Sequence, residues 1–394
     1  MRSGLTTGAV LAASLLLLGW NVWNAGLASG FLDPVAQIGA QDEAVYAHTS
    51  LRMALGEDPL TPRFFGRPAL YKPPLLYWLT AASVRCLGVS GLSLRLASLL
   101  AAALGCALVF LWLRGIDSAF AGIVAVALML SSHLWHSLAR YCLTDMILAA
   151  CITAAAFALA RDPELQTRGS FYGFAAATAA ALLDKAIAGL LPILLLLLYV
   201  LIAPGGRRPP LRRMAALGLW IALLALPWYI YQLTVHTRWF WAEYVLNETL
   251  GWGLGQPVQT TAEGPLFYPR RLLLFDPVLL LAGLAAIPGW IAALRRRDSH
   301  QPFLLAAWVA VVLAAVSIFH YRNAAYLLPL VPAMALISAT YGPLTRGAVR
   351  RLALPALVLL FVLKAATPDR AWGRTADLPR WSARAGRVPS RGFH

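Results

Sequence analysis

Charge is what this chain has least of. Only 13% of its 394 residues are Asp, Glu, Lys or Arg, against about 25% in ordinary soluble domains. Acidic residues are the scarcer sign, 17 against 33 basic ones, which leaves a net charge of +16. Lysine is nearly missing: Lys72, Lys185 and Lys364 are the only three among those basic residues. The four cysteines (Cys86, Cys106, Cys142 and Cys151) form no CxxC pair, so their spacing supports neither a disulfide framework nor a zinc site. So little charge excludes a disordered or fibrous chain. The arginines are scattered between apolar runs instead of gathered into a patch, which excludes nucleic acid as the partner. What is present is apolar: 60% hydrophobic residues and a mean hydropathy of +0.67. A soluble globule cannot hide that much apolar surface, and the chain reads as an all-α polytopic membrane protein.

A span needs roughly 20 apolar residues. The sequence offers about 11 such runs, near 9–29, 92–113, 119–136, 143–160, 170–184, 186–203, 214–232, 272–294, 302–319, 324–341 and 348–366. The fifth and sixth require a tight turn at Asp184-Lys185. The first, preceded by Arg2 and followed by small residues near Ala28, also has the layout of a signal peptide; it is read here as a retained span. With the N-terminus inside, the short inner loops hold Arg114, Arg161, Arg168, Arg207, Arg208, Arg212, Arg213, Arg295 to Arg297, Arg346, Arg350 and Arg351. The outer turns hold Arg140, Lys185 and Arg322, and this asymmetry satisfies the positive-inside rule. The short basic tail, 367–394, then falls outside, against the same rule. An Arg- and Ala-heavy composition suits a GC-rich bacterial genome.

This topology makes residues 1–366 one transmembrane module and puts two long non-spanning segments, 30–91 and 233–271, on the same outer face. Long connections in compact proteins tend to be functional. In the first, DEAVYAHTSLRMAL (42–55) reads as an amphipathic interfacial helix. Ala44, Ala47, Leu51, Ala54 and Leu55 lie on one face, and Asp42, Tyr46, Thr49 and Met53 along another. Leu75–Leu87, introduced by Lys72-Pro73-Pro74, reads as a second interfacial helix. Asp42 and Glu43 suit simple helix capping, and Lys72 suits a snorkelling interfacial lysine. Against the plainer view of Lys72 stands its rarity: a chain that otherwise uses Arg has kept a compact point charge here.

Gln41-Asp42-Glu43, then Tyr46, then Tyr71-Lys72-Pro73 about thirty residues on, resembles the lipid-linked-sugar glycosyltransferases of the GT-C fold. Within them the pattern is most similar to the aminoarabinose transferases that modify lipid A and to the protein O-mannosyltransferases. The resemblance runs from the first span to about residue 341. It extends to Arg95 before the second span, to Arg140 and Asp145 in ARYCLTDMIL, to Lys185, to Tyr268 in PLFYPRR and to Arg322 in YRNAAYLLP. Two departures stand out. Tyr71 takes the place of an acidic residue before the lysine, and LNETLGW, with Asn247 and Glu248, replaces a histidine-bearing stretch. Those family positions contribute to a metal site, so no metal or other cofactor is carried over. Relatives also end in a soluble outer domain, and none follows the last span here, an expectation that tilts the acceptor toward a small or lipid-embedded molecule.

The resemblance implies a polyprenyl-phosphate-linked sugar as donor and a lipid or glycan acceptor at the periplasmic face (lipid A, another glycolipid, a polysaccharide or a protein), with inversion at the anomeric carbon. Asp42 is then the catalytic carboxylate, a general base where the acceptor is a hydroxyl. Lys72, Arg270, Arg271 and Arg322 are the donor phosphate ligands. Glu43, Tyr46, Tyr71, Arg140, Asp145 and Tyr268 complete the substrate site. Plainer readings stand beside these. Arg270 and Arg271 suit headgroup contacts, Asp276 suits a local pair with one of them, and Arg140 with Asp145 suits a structural pair. Glu243 and Glu248 suit a solvated helix edge. His236 and His320 suit interfacial positions, and His48 suits an acceptor contact. The competing function is a transporter or lipid flippase. That class places binding residues at mid-membrane on broken helices of paired repeats, whereas here the polar clusters gather at one face and no two-half symmetry is visible. A binding-only relative is the third reading.

Overall fold

The computed structural model describes residues 40–251, 264, 266–318, 322–347 and 349–366, with a few positions between 8 and 16. The expected first span lies largely outside these residues, as do His320 and the tail. Every expected span from 92–113 onward is occupied by helix, so the all-α architecture follows the apolar runs.

Two helices and a small hairpin precede the spans. Helix α1 (Ala40–Ala54) is followed by a two-stranded hairpin, β1 (Arg63–Phe64) and β2 (Arg67–Pro68), and then by α2 (Leu75–Leu87). The hairpin turn holds Phe65 (φ 47°) and Gly66 (φ 78°), the left-handed geometry that a two-residue antiparallel turn requires. Helix α2 matches the expected second interfacial helix. For α1 the packing face differs from the expected one. Glu43, Tyr46, Ala47, Ser50 and Met53 are buried, while Ala44 and Leu55 are exposed. The helix therefore docks on protein through a mixed polar face. Charge pairing and ring packing, described below, outweigh the apolar stripe.

The helices that follow are α3 (Gly91–Ile116), α4 (Ala119–Ser131), α5 (His133–Leu138), α6 (Thr144–Arg161), α7 (Arg168–Lys185), α8 (Leu191–Ile202), α9 (Leu211–Val235), α10 (Phe267–Phe275), α11 (Pro277–Arg296), α12 (Gln301–Ile318), α13 (Leu330–Tyr341) and α14 (Val349–Ala366). Three expected spans are segmented. The run 119–136 breaks at Ser132, whose side chain caps α5. The run 272–294 breaks at Asp276 between α10 and α11, and 324–341 begins with a 3₁₀ turn, Ala324–Leu327. Ser90 and Ser93 form a reciprocal capping box at the start of α3, which satisfies amide groups that the helix itself cannot.

Small residues set the helix spacing. Helix α6 packs on α3 and α7 through alanine-rich faces, as membrane helices do when backbones must approach closely. At Gly105 a Cβ would fall 2.7 Å from the Trp135 indole, so α3 accepts that ring only with glycine there.

The apolar stretch 168–202 reverses in its middle, as the sequence requires. Ala186 takes φ 36°, and the 3₁₀ turn Ala186–Leu190 packs back on α7. A Cβ on Gly189 would lie 2.5 Å from the Ala181 carbonyl. In a continuous helix, positions eight apart are separated by roughly 12 Å, so α7 and α8 are two antiparallel passes.

The two ends of the bundle differ chemically. At one end Trp112 donates to Gln301 Oε1 (2.8 Å), Gln301 donates to the Ala160 carbonyl (2.8 Å), Arg207 to the Asp298 carbonyl (2.9 Å) and Arg213 to the Leu165 carbonyl (2.5 Å). These ties gather the arginine-rich loops expected on the inner side. The first turn of α6 and the α7–α8 reversal lie at the opposite end, and α1 and α2 meet the bundle there.

Candidate functional site

The site is assembled from the N-terminal turn of α1, the turn before α2, the start of α6, the α7–α8 reversal and the segment after α9. Three ion pairs hold these pieces together. Arg95 of α3 grips Glu43 with both arms of its guanidinium, at 2.8 Å and 3.2 Å. Glu43 also accepts the Cys142 backbone N–H at 2.9 Å. Lys185 bonds Asp145 at 2.7 Å, with its ammonium 5.2 Å from the Tyr326 ring centroid. Lys72 pairs with Glu248, 176 positions later.

Asp42 sits beside these pairs and is the accessible member of the group. The surrounding walls displace enough water to lift its carboxyl above the usual aspartate range. Lys72 opposes that shift, Asp145 adds to it, and Lys185 opposes it. An accessible yet poorly solvated carboxylate is the better proton acceptor, because a raised pKa approaches the working pH. Tyr46, one turn along α1, is buried edge-on to Tyr77, with ring centroids 5.8 Å apart. Burial pushes both phenols well up, which keeps them neutral hydrogen-bond donors.

The first outer segment is fastened over the site. Trp228 (2.8 Å) and Gln232 (2.5 Å) of α9 donate to the Leu60 carbonyl, Trp78 donates to the Pro59 carbonyl at 2.6 Å, and Thr61 meets His236 at 3.1 Å. His236 is thus a docking residue. His48 packs against Phe64 and Phe65, with centroids 5.1 Å and 5.0 Å away.

Residues 240–251 wind as a π-helix, in which each amide reaches five residues back and positions four apart fall on nearly the same face. Phe240 and Tyr244 stack at 4.9 Å. Tyr244 donates to Tyr229, and Tyr229 donates to the Leu182 carbonyl at 2.6 Å. This winding overturns the solvated-edge expectation for Glu248. Its side chain is 18% exposed and bonded to Lys72, itself 17% exposed; the lysine does not snorkel. Tyr71 lies in the field of Glu243 and Glu248, with burial as the larger cause of its raised phenol pKa.

Asp42, Lys72, Asp145, Tyr46 and Tyr71 therefore share one neighbourhood. Glu43 is turned inward and works as a strut for α1. Arg140 is buried with its guanidinium 5.6 Å from the Tyr141 ring, and Arg95 lies 5.8 Å from the same ring. The remaining candidate residues lie on α10 and just before the 3₁₀ turn Ala324–Leu327. Tyr268 is buried on α10, Arg270 of the same helix is exposed, and Arg271 lies between the Phe267 and Phe275 rings at 5.0 Å and 6.0 Å. Arg322 donates to the Gly264 carbonyl. The Lys185–Tyr326 contact ties the α7–α8 reversal to the 3₁₀ turn Ala324–Leu327, which also touches α10. Asp276 accepts from Ser132 at 2.9 Å and from the backbone amides of His133 and Leu134, so it caps α5. That capping is a role the sequence did not suggest.

Two groups were missed from sequence. Asp184, read only as a turn residue, is fully buried, and both carboxylate oxygens lack a hydrogen-bond partner among the described residues. It lies in the field of Lys185, Asp145 and Lys72. The buried Tyr77 hydroxyl likewise lacks a partner there. Polarity inside an apolar run is the signal that marks both. Among the described residues no three His, Cys, Asp or Glu side chains cluster as metal ligands.

Comparison with known proteins follows the same pattern. Residues 71–231 match the family model described as dolichyl-phosphate-mannose-protein mannosyltransferase. An undecaprenyl phosphate-alpha-4-amino-4-deoxy-L-arabinose arabinosyl transferase of Aeromonas salmonicida is 27% identical over 316 residues, 76% of this chain and 55% of the relative. This chain thus spans about half the length of the curated relatives it matches. Among solved structures, ArnT from Cupriavidus metallidurans bound to undecaprenyl phosphate aligns with a TM-score of 0.68 at 20% identity, over 82% of this chain and 59% of that one. The Archaeoglobus fulgidus oligosaccharyltransferase aligns with a TM-score of 0.59 at 14% identity, over 93% of this chain and 55% of that one. The chain has the GT-C glycosyltransferase fold and resembles the superfamily of aminoarabinose transferases and protein mannosyltransferases.

Proposed function

We propose that this protein is a membrane glycosyltransferase that moves a sugar from a polyprenyl-phosphate donor to a lipid or glycan acceptor at the outer face of a bacterial inner membrane. The observation that carries the reading is the accessible carboxylate of Asp42 set beside two lysines, Lys72 and Lys185. Transfer forms a bond from the acceptor oxygen to the anomeric carbon and breaks the bond from that carbon to the phosphate oxygen, with inversion. An acceptor hydroxyl gives its proton to Asp42. The leaving phosphate gains charge as the bond breaks, and Lys72 meets that charge as a compact cation. In this reading Arg322, Arg270 and Arg271 supply further phosphate contacts. Tyr46, Tyr71, Arg140 and Tyr268 shape the sugar and lipid approach. The same cluster argues against a transporter, because its charges meet at one end of the bundle where interfacial chemistry takes place.

The test uses purified protein in nanodiscs. Undecaprenyl phosphate, the shared product of such reactions, is expected to bind saturably and more weakly to Lys72→Ala by tenfold or more, about 1.4 kcal/mol. Transfer from a lipid-linked sugar is expected to vanish in Asp42→Asn with the fold intact. Normal turnover by that variant would remove Asp42 as the base. No specific binding of the lipid phosphate to wild type would bring the transporter reading forward.

A further inference from the structure

The ion pair between Lys72 and Glu248 poses a problem of occupancy. Both side chains are more than four-fifths buried. A cation so placed needs a counter-charge, because removing one partner from a buried pair strands the other at high cost. In the structure that counter-charge is Glu248. A donor phosphate brings an anion of its own to the same ammonium. If Glu248 stayed, the phosphate would face three carboxylates (Asp42, Asp145 and Glu248) with two lysines to balance them. Like charges at such distances repel strongly in a poorly solvated site.

We propose that Glu248 is a displaceable stand-in for the donor phosphate: it holds Lys72 when the site is empty and gives up that place as the donor loads. The inference rests on the donor assigned above and names the group that the donor must replace. Glu248 is a positioning residue in this scheme, acting through Lys72 and not on the reacting atoms.

The segment that carries it is built for release. One end of the π-helix is anchored by the Phe240–Tyr244 stack and the Tyr244–Tyr229–Leu182 hydrogen-bond relay. Glu248 lies one π turn beyond Tyr244 and faces Lys72. Trp241, Leu246 and Leu250 are 50%, 55% and 41% exposed, so the outer flank of this turn gains little from protein packing. A π-helix is rare, occurs mostly as single-turn bulges inside α-helices, and is frequent at functional sites. Rewinding the four residues from Tyr244 to α geometry would turn position 248 through about 70° and carry its carboxylate away from the lysine.

The experiment measures binding of undecaprenyl phosphate to the full chain in nanodiscs, with undecaprenol as the uncharged control. It compares wild type, Glu248→Gln, Lys72→Ala and the double variant, and a melting curve for each establishes that it is folded. The expected result is fivefold or more tighter binding to Glu248→Gln, no change for undecaprenol, and a double variant that binds like Lys72→Ala. Weaker or unchanged binding to folded Glu248→Gln, with wild type binding normally, overturns the proposal and leaves Glu248 a structural partner. So does tightening that persists in the double variant, since the effect would not pass through Lys72. Should Glu248→Gln fail to fold, Glu248→Asp, which shortens the reach by one methylene, is expected to tighten binding in the same direction. Absence of binding to wild type is a different failure, that of the donor assignment itself.

Discussion

Glu43 and Asp42 are neighbours in sequence, yet the structure gives them opposite tasks, and a single substitution separates them. Glu43 is 7% exposed at its side chain, Arg95 16%, and the guanidinium reaches both carboxylate oxygens. The same carboxylate accepts the Cys142 amide, so it ties α1 to α3 and to the turn before α6. Glu43→Gln removes the charge, keeps the size and leaves Arg95 buried without its counter-ion. Breaking such a pair costs about 3–5 kcal/mol. A Glu43→Met/Arg95→Met double variant buries no stranded charge and should recover about 2 kcal/mol or more of that loss, since contacting residues couple by 0.5–3 kcal/mol. The assay is reversible unfolding in mixed micelles, read by tryptophan fluorescence, alongside binding of undecaprenyl phosphate to the folded fraction. Glu43→Gln is expected to unfold far earlier than wild type, with affinity per folded molecule changed less than threefold. Wild-type stability combined with lost affinity would refute the reasoning and return Glu43 to the substrate site.

The other predictions are shorter. Because burial raises the Asp42 carboxyl, and Asp42 must be ionised to accept a proton, the acid limb of kcat/KM should lie above the ordinary aspartate value of about 3.9; a limb at or below it would mean that Asp42 is not the titrating base. The stability sign is the reverse. A carboxyl raised by folding favours the fold while protonated and loses that contribution as pH rises through its folded value, so Asp42→Asn should melt slightly higher than wild type at neutral pH. Gly189→Ala should destabilise by about 1–3 kcal/mol, because its Cβ would meet the Ala181 carbonyl and the Leu182 Cα, both at 2.5 Å; a neutral melting curve would mean that the α7–α8 reversal is looser than described.

Architecture was legible where one property decided it. Long apolar runs located the spans, and Asp184-Lys185 between two of them marked a reversal that Gly189 makes possible. Helix α2 was readable because its apolar face is also its packing face. Helix α1 was not, because its docking depends on Arg95, 52 positions beyond its partner Glu43. The breaks at Ser132 and Asp276 were hidden for a related reason. Each is set by a hydrogen bond between elements 144 positions apart, and no local pattern records that. In the site, sequence could name Asp42, Lys72 and Asp145 individually, but not their partners. Glu248 read as a solvated edge because its partner, Lys72, lies 176 positions away and no local spacing records the pair.

The distribution of cation types across the three ion pairs carries a further argument. Replacing a buried pair with well-packed apolar residues is often neutral or stabilising by 1–4 kcal/mol, so the pairs are not explained by stability alone in so apolar a bundle. The pair that fixes α1 uses arginine, whose fork binds a carboxylate in two places and resists exchange. The two pairs beside Asp42 use lysine, a point charge that one anion can take from another. Two of the chain's three lysines stand there, although arginine supplies nearly every other positive charge. Arginine at either position would hold its carboxylate more firmly and yield it less readily to a phosphate. The choice of lysine thus suits the partner exchange proposed for Lys72 and Glu248, and it separates the bidentate Arg95–Glu43 pair from the two lysine pairs beside Asp42.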